Sequence, residues 1–238
     1  MSLVTALILT YLVGLLLGHY IGFFAHEAGH AIVARIKGYC VSGIYFENML
    51  KKNEKTLFQF TFARIPIIIK SLYPNYGYAR VLADSEIPKV NDTVHVLRND
   101  KGTAVDFILA DDTIRTIDSI IITSVKQAKE SIVVEAATKS SIEIFHIFKK
   151  ENQKTADEMT PKDKFLIALG GPIGNMLMAL LFLGLDFTLF NGSILGVIGL
   201  YNLLMLFHLF SSKSSDGTII KEYLQIKRTE KNLGVNKE

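Results

Sequence analysis

The stretch Leu3–His30, LVTALILTYLVGLLLGHYIGFFAHEAGH, joins a long uncharged run to a cluster of ionisable residues. Its first 23 residues, Leu3–Ala25, contain no Asp, Glu, Lys or Arg. As a helix they would extend about 34 Å, enough to cross the ~30 Å hydrocarbon core of a bilayer. No basic segment precedes the run and no small-residue cleavage site follows it, which is atypical of a signal peptide. The sequence therefore predicts a retained membrane helix that continues through Arg35 and stops at Gly38.

The end of this run, His26-Glu27-Ala28-Gly29-His30, has the pattern HExxH. Residues four apart on a helix lie on the same side, so both imidazoles can bind one zinc ion. Glu27 lies beside them, where it can act as a general base toward a zinc-activated water. The alternative is a pair of surface side chains without a catalytic role. Ionisable groups that follow an apolar membrane segment are costly and usually functional, which favours the metal site.

Two further apolar stretches, Phe165 to about Leu185 and about Gly192 to Phe210, each have the length of one membrane crossing. The short link around Asp186–Asn191 predicts that they form a helical hairpin. All 26 Lys and Arg residues lie in the segments 35–164 and 213–237, outside the three spans. Basic residues favour the cytoplasmic side of a membrane. We therefore expect a multi-pass protein of the cell membrane with its N-terminus outside and its central loop and C-terminus in the cytoplasm.

A catalytic zinc site needs a third protein ligand and an open position for water. Asp216 follows the third span by a short spacer, and counting residues along the spans places it at the same depth as His26. This depth match predicts Asp216 as the third ligand, although Ser214–Gly217 also has the composition of an ordinary turn. The alternative candidates are Glu47, Glu54 and His19.

Two asparagines lie about ten residues into the second and third spans, at similar depth. Asn175 and Asn202 could form a hydrogen bond between the helices, or could bind the backbone of an extended substrate. The residues alone do not separate these readings. Nearby, Gly170 and Gly174 form a small-xxx-small pair that permits close helix approach.

The polar loop between the first two spans has alternating patterns that predict strands, first at Thr56–Phe62 and later in a small β-rich region. The expected organisation is as follows: residues 1–37, the first transmembrane helix with HExxH; 38–83, a strand-rich, membrane-associated loop; 84–164, a small cytoplasmic domain and linker; 165–212, the transmembrane hairpin; and 213–238, a metal-ligand turn and cytoplasmic tail.

Composition argues against several other classes of protein. The net charge is only +3, and no basic patch is interleaved with aromatic residues, so nucleic acid is not an expected partner. Cys40 is the only cysteine, which excludes an intrachain disulfide and a zinc site built on cysteines.

Three motifs in this order, HEAGH, the GGPIGN of Gly170–Asn175, and Asn202 followed by Asp216-Gly217, resemble the site-2 protease family of intramembrane zinc metalloproteases. The resemblance implies an α-helical polytopic fold, with a three-helix transmembrane core and, in this chain, a β-rich cytoplasmic insert. It implies one zinc ion per chain, bound by His26, His30 and Asp216, with Glu27 activating water. The implied substrate is a membrane-spanning or membrane-embedded peptide, cleaved near the cytoplasmic leaflet.

The chain also departs from the family pattern. No proline follows Asn202, the spacer before Asp216 is longer, and the link between the second and third spans is too short for a PDZ domain. These departures keep a second hypothesis open, that of a non-catalytic zinc-binding membrane adaptor or immunity-type relative. The complete HExxH motif favours the enzyme.

Overall fold

A computed structural model describes residues 3–48, 56–62, 65–72, 74–98, 104–109, 119–129, 131–137, 142–147, 149–190, 194–210 and 215–232. The chain divides into two compact units. The first comprises Met1–Lys37, Val41–Arg80 and Met159–Glu238, and the second comprises Gly38–Cys40 and Val81–Glu158. All the residues predicted to form the site belong to the first unit.

The first helix of this unit, α1, extends over Leu3–Ile36. Gly38 then adopts a φ of 85°, a left-handed conformation that glycine takes without strain and that commonly ends helices. The prediction of a helix through Arg35 that stops at Gly38 is therefore confirmed.

The predicted hairpin has two helices, and a π-helix follows the first of them. Helix α2 extends over Pro161–Leu185, a π-helix over Asp186–Phe190, and helix α3 over Ile194–Phe210. Helix α2 begins four residues before the predicted start at Phe165. The hydroxyl of Thr160 accepts a hydrogen bond from the backbone N–H of Asp163 at 3.1 Å, and this cap starts the helix within a polar turn.

The segment after α3 is helical where the sequence predicted a turn and a tail. Helix α4 extends over Ser215–Asn232. Asp216 therefore lies in the first turn of a helix, where the helix dipole stabilises a carboxylate. The backbone around Asp216 is therefore helical, where the sequence predicted a turn.

Rows of glycine bring the apolar helices into close contact. A Cβ atom added to Gly14, Gly18 or Gly22 of α1 would lie within 3.3 Å of side chains on α3. The predicted close approach of α2 is also present, because Gly170 packs on Gly29 of α1. Small residues at four-residue spacing thus pack α1 against both of its helical neighbours.

The apolar helices have the surface of membrane segments. Within the described residues, Val4–Ile36 and Pro161–Thr188 are long and apolar enough to cross a membrane, and Ile194–Leu206 is a shorter apolar helix. Large exposed apolar side chains cover their outer faces, for example Leu12 and Leu180. Soluble monomers rarely expose apolar surface on this scale, whereas lipid covers it without cost.

A four-stranded sheet completes the first unit. Its strands are β1, Val41–Glu47; β2, Phe58–Phe62; β3, Ile65–Ile69; and β4, Tyr76–Val81, and their spatial order is β2-β3-β1-β4. Strand β3 pairs with β1 in parallel, with Ile67 opposite Ile44, and with β2 in antiparallel fashion. The strand predicted at Thr56–Phe62 is confirmed as β2, and β2 and β4 form the two edges.

The second unit is a five-stranded antiparallel sheet. Its strands are β5, Thr93–Arg98; β6, Ala104–Leu109; β7, Ser119–Gln127; β8, Ile132–Ala137; and β9, Ile142–Ile147, in the order β6-β5-β7-β8-β9. Ile122, Val134 and Phe145 form its core with neighbouring apolar residues. The β-rich insert and the β5–β6 hairpin are confirmed, whereas β9 was not predicted. The predicted hairpin turn, at residues 99–102, lies outside the described residues.

Candidate metal centre and active site

The two histidines of HExxH point to the same place. Their ring centroids are 4.7 Å apart. Nε2 of His26 lies 3.0 Å from Oδ2 of Asp216, and Nε2 of His30 lies 3.2 Å from the same oxygen. The structure thus brings together the three side chains predicted to bind zinc, although 190 residues separate His26 from Asp216.

This set of donor atoms fits zinc. Two imidazoles and a carboxylate are typical of catalytic zinc sites, in which three protein ligands leave one position open for water. With metal–ligand bonds of ~2.0–2.1 Å, the ligand atoms of a tetrahedral site lie about 3.3 Å apart. The two nitrogen–oxygen distances of 3.0 and 3.2 Å are close to that value.

The charge of Asp216 also suits a metal ligand. Burial alone would raise the pKa of its carboxyl group. Hydrogen bonds and electrostatic attraction from His26 and His30 outweigh burial and hold that pKa well below its usual range. Asp216 is therefore ionised at neutral pH, as a carboxylate ligand must be.

Helix α2 contacts both imidazoles from one side. Nδ1 of His30 lies 2.6 Å from the carbonyl oxygen of Ile167. The backbone N–H of Gly171 also lies 3.3 Å from the same Nδ1. We assign the proton to Nδ1, because the contact with the carbonyl oxygen, which can only accept, is much shorter; Nε2 then directs its lone pair toward the site. Nδ1 of His26 lies 3.2 Å from the side-chain amide of Asn175. The face of α2 that carries GGPIGN therefore orients the two predicted ligands.

Gly171 lies directly beneath the rings. A Cβ atom at this position would be 2.5 Å from Nε2 of His30 and 2.6 Å from Cε1 of His26. Any side chain at residue 171 would therefore collide with both histidines at their metal-facing edges. The sequence offered only the glycine pair at 170 and 171, and the helix-spacing argument singled out Gly170 instead.

Glu27 is buried, with 6% of its surface exposed, and strand β4 covers it. The backbone N–H of Ala79 donates a hydrogen bond to its carboxylate. A Cβ atom on Gly77 would lie 2.9 Å from Cγ of Glu27, so β4 can pack this closely only through a glycine. Sequence reasoning did not identify this contact, because Tyr76-Gly77-Tyr78 has no pattern that separates it from any other strand.

Asn175 and Asn202 are both fully buried, with 0% of their surface exposed. Asn202 donates from Nδ2 to the carbonyl oxygen of Ile198 at 2.9 Å, within its own helix. The side-chain oxygens of both residues lack a hydrogen-bond partner, so the two residues do not bond to each other. Both lie in the helical core, and Asn175 contacts a predicted metal ligand.

The alternative third ligands have other partners. Oε1 of Glu47 pairs with Nζ of Lys70 at 2.6 Å. Nδ1 of His19 lies 2.8 Å from the hydroxyl of Tyr201, and its Nε2 lies 3.2 Å from the carbonyl oxygen of Pro74. Glu54 lies outside the described residues. Asp216 is the candidate that the structure brings to the histidines.

An apolar cavity of about 440 Å³ lies between the helices and the sheet of the first unit. On α1 it includes Phe23, one turn before His26, and on α2 it includes Met178, one turn after Asn175. Aromatic and aliphatic side chains of β1, β2 and β3 form much of the remaining wall, among them Phe46, Phe58, Phe60, Ile67 and Ile69. Two residues of the cavity wall therefore lie one helical turn along their helices from His26 and from Asn175.

Comparison with protein families agrees with this geometry. The family model of peptidase family M50 matches residues 14–233, which is most of the chain and includes HExxH and Asp216. The chain belongs to peptidase family M50, the site-2 protease family. Members of this family are membrane-bound zinc metalloproteases, so the family accounts for both the apolar helices and the His–His–Asp cluster. A comparison with curated protein sequences gave no match.

Proposed function

We propose that this M50 family member is an intramembrane zinc metalloprotease that cleaves a membrane-embedded peptide or protein near the cytoplasmic leaflet. The observation that carries the proposal is the convergence of His26, His30 and Asp216, with the buried carboxylate of Glu27 on the same turn of α1. A carboxylate next to three metal ligands is the arrangement of a general base in metal-dependent peptide hydrolysis.

The chemistry divides among four side chains. His26, His30 and Asp216 would hold one zinc ion per chain, which when bound would polarise both a water molecule and the scissile carbonyl. Glu27 takes a proton from the attacking water and later delivers it to the leaving amine, so the C–N bond breaks without a net change in the protonation of Glu27. The hydrogen bond from Ala79 orients the Glu27 carboxylate, since one of its oxygens can be held while the other faces the water.

The sheet and the cavity suit an extended apolar substrate. A peptide bond must leave its helix to be cut, and unwound backbone within a membrane needs hydrogen-bond partners. Among the described residues, strand β2 forms one edge of the sheet, so its outer backbone groups can pair with such a segment. Phe58 and Phe60 project from β2 into the apolar cavity, which can receive apolar side chains of the paired segment.

The distribution of charge supports the orientation we propose. Every Lys and Arg lies in the segments 35–164 and 213–237, which three crossings would place on the cytoplasmic side. A reporter fused after Glu238 should then be active in the cytoplasm, and one fused before Ser2 should be active outside. A C-terminal reporter that is active outside would exclude this orientation and with it cleavage near the cytoplasmic leaflet.

The decisive experiment compares the purified wild type with Glu27→Gln on candidate membrane peptides. The amide has nearly the same volume and leaves both imidazoles in place, so zinc should still bind at about one per chain. It cannot take the proton, so turnover should fall by at least ~10²-fold. A Glu27→Gln enzyme with full activity would exclude Glu27 as the base.

The same experiment tests the adaptor hypothesis. A non-catalytic relative would bind about one zinc ion per chain and cleave none of the peptides, and Glu27→Gln would leave its behaviour unchanged. Cleavage by the wild type that is lost in the variant supports the protease alone.

A further inference from the structure

We propose that Asn175 is a positioning residue for the metal centre, whose side-chain oxygen accepts a hydrogen bond from Nδ1–H of His26 when zinc is bound. This inference rests on the proposed zinc site. It assigns to Asn175 a role different from both earlier readings, which were substrate binding and an Asn–Asn hydrogen bond between helices. The observations that carry it are one contact and one unpaired atom.

The contact joins α2 to the first histidine of HExxH. The amide group of Asn175 lies 3.2 Å from Nδ1 of His26, on the side of the ring away from Asp216. Asn175 is fully buried, so this contact lies within the helical core. A residue in this position can fix the rotation of the imidazole and can determine which ring nitrogen carries the proton.

The unpaired atom is the side-chain oxygen of the same residue. In the structure Nδ2 faces His26, and Oδ1 is buried without a hydrogen-bond partner. A half-turn of the amide about its last bond exchanges the oxygen and the nitrogen and moves almost nothing else. After that exchange, the oxygen that lacked a partner accepts a hydrogen bond from Nδ1–H of His26.

The metal-binding state requires this second orientation. A neutral histidine that offers Nε2 to a cation carries its proton on Nδ1, and that N–H needs an acceptor. For His30 the acceptor is the backbone oxygen of Ile167, at 2.6 Å. For His26 the neighbouring group is the Asn175 amide, which presents an acceptor only when its oxygen faces the ring. The imidazole of His30 is thus oriented by a backbone oxygen, and that of His26 by a side chain, which mutation can replace.

Burial argues against a direct role of Asn175 in holding substrate. With 0% of its surface exposed and its amide against His26, Asn175 could reach a peptide only by abandoning the histidine. Asn202 is equally buried, but its side-chain amide donates to the carbonyl oxygen of Ile198 in its own helix. The two asparagines, similar in depth and type, therefore provide a matched pair for experiment.

The test measures zinc affinity by competition with a chelator on the purified full chain, with no substrate present. Asn175→Leu removes the acceptor at similar volume and should weaken zinc binding by about 10–100-fold, the usual effect of losing an outer hydrogen-bond partner. Asn175→Asp keeps an acceptor oxygen but has no N–H to donate, and it should bind zinc as tightly as the wild type. Asn202→Leu is the control and should retain wild-type zinc affinity.

The outcomes are distinct. Equal affinity of Asn175→Leu and wild type would overturn the proposal, as would a loss in Asn175→Asp as large as that in Asn175→Leu. If Asn175→Leu does not fold, as judged by its helix content, Asn175→Asp still decides, because a group that acts by donating from nitrogen predicts weakened binding there. A chain that binds zinc in this pattern but cleaves no peptide would refute the proposed protease and leave the role of Asn175 intact.

Discussion

Two glycines lie against the candidate site from opposite elements, and they contact different parts of it. Gly171 on α2 packs against the metal-facing edges of His26 and His30, whereas Gly77 on β4 packs against the side chain of Glu27. Helix α2 therefore determines the space available to the metal ligands, and strand β4 determines the space available to the base. The difference indicates that metal binding and proton transfer can be separated by changing a single backbone contact.

The largest expected effect is that of Gly171→Ala. Its Cβ would lie 2.5 Å from Nε2 of His30, so the rings must move or the helices must separate. We expect loss of both zinc and activity, measured by metal analysis and peptide cleavage. Gly184→Ala on the same helix is the control, because a Cβ there meets nothing within 4 Å. Wild-type zinc content in Gly171→Ala would show that the close contact of Gly171 with the two histidines is not needed for metal binding.

Asp216, on helix α4, is the third predicted metal ligand. Asp216→Ala leaves two imidazoles for the metal and should lower both zinc content and activity, with membrane insertion unchanged. Asp216→Glu should retain part of each, since a carboxylate is still offered at the start of the helix. Full zinc content and full activity in Asp216→Ala would mean that another residue supplies the third ligand.

Gly77→Ala tests the contact between β4 and the proposed base, Glu27. A methyl group 2.9 Å from Cγ of Glu27 must displace the carboxylate or the strand, while both histidines keep their contacts with α2. A displacement of about 1 Å at a catalytic group costs up to ~10²-fold in rate. We therefore expect normal zinc content with turnover reduced toward that of Glu27→Gln. Loss of zinc in Gly77→Ala would show that metal binding and the position of the base are not independent.

The smallest effect is expected at Tyr201, which takes no part in the contacts of Gly171 with the histidines or of Gly77 with Glu27. Tyr201→Phe removes the hydroxyl that lies 2.8 Å from Nδ1 of His19 and thereby one link between α3 and α1. The free energy of unfolding should fall by about 0.5–1.5 kcal/mol, the usual net value of one hydrogen bond. Denaturant titration in detergent measures this change. Zinc content should not change. A lower zinc content would mean that α3, like α2, helps to position the metal ligands.

The sequence predicted the residues of the candidate site better than it predicted the packing contacts around them. HExxH fixes its own geometry through helical periodicity, and the match in depth along the spans singled out Asp216. The contact between Gly77 and Glu27 depends on how a strand crosses a helix some fifty residues earlier in the chain, and no local pattern records that. Gly171 is a similar case, since spacing alone favoured its neighbour.

The missed elements have local explanations. Helix α4 was not predicted because its residues are mostly polar and exposed, so it lacks the apolar pattern of a membrane span. Strand β9 has the sequence IEIFHI, in which polar residues interrupt the apolar ones, unlike the Ile-Val-Val start of β8. The start of α2 lay in a polar turn capped by Thr160, whereas the prediction followed only the apolar residues.

The separation of 190 residues between His26 and Asp216 has a consequence for biosynthesis. A ribosome releases the histidines and the glutamate early, while the carboxylate emerges only after α2 and α3. During this interval the growing chain has two imidazoles and no third protein ligand for the metal. If the proposed function is right, a nascent chain should be unable to cut the membrane segments that are inserted around it until α4 has been made.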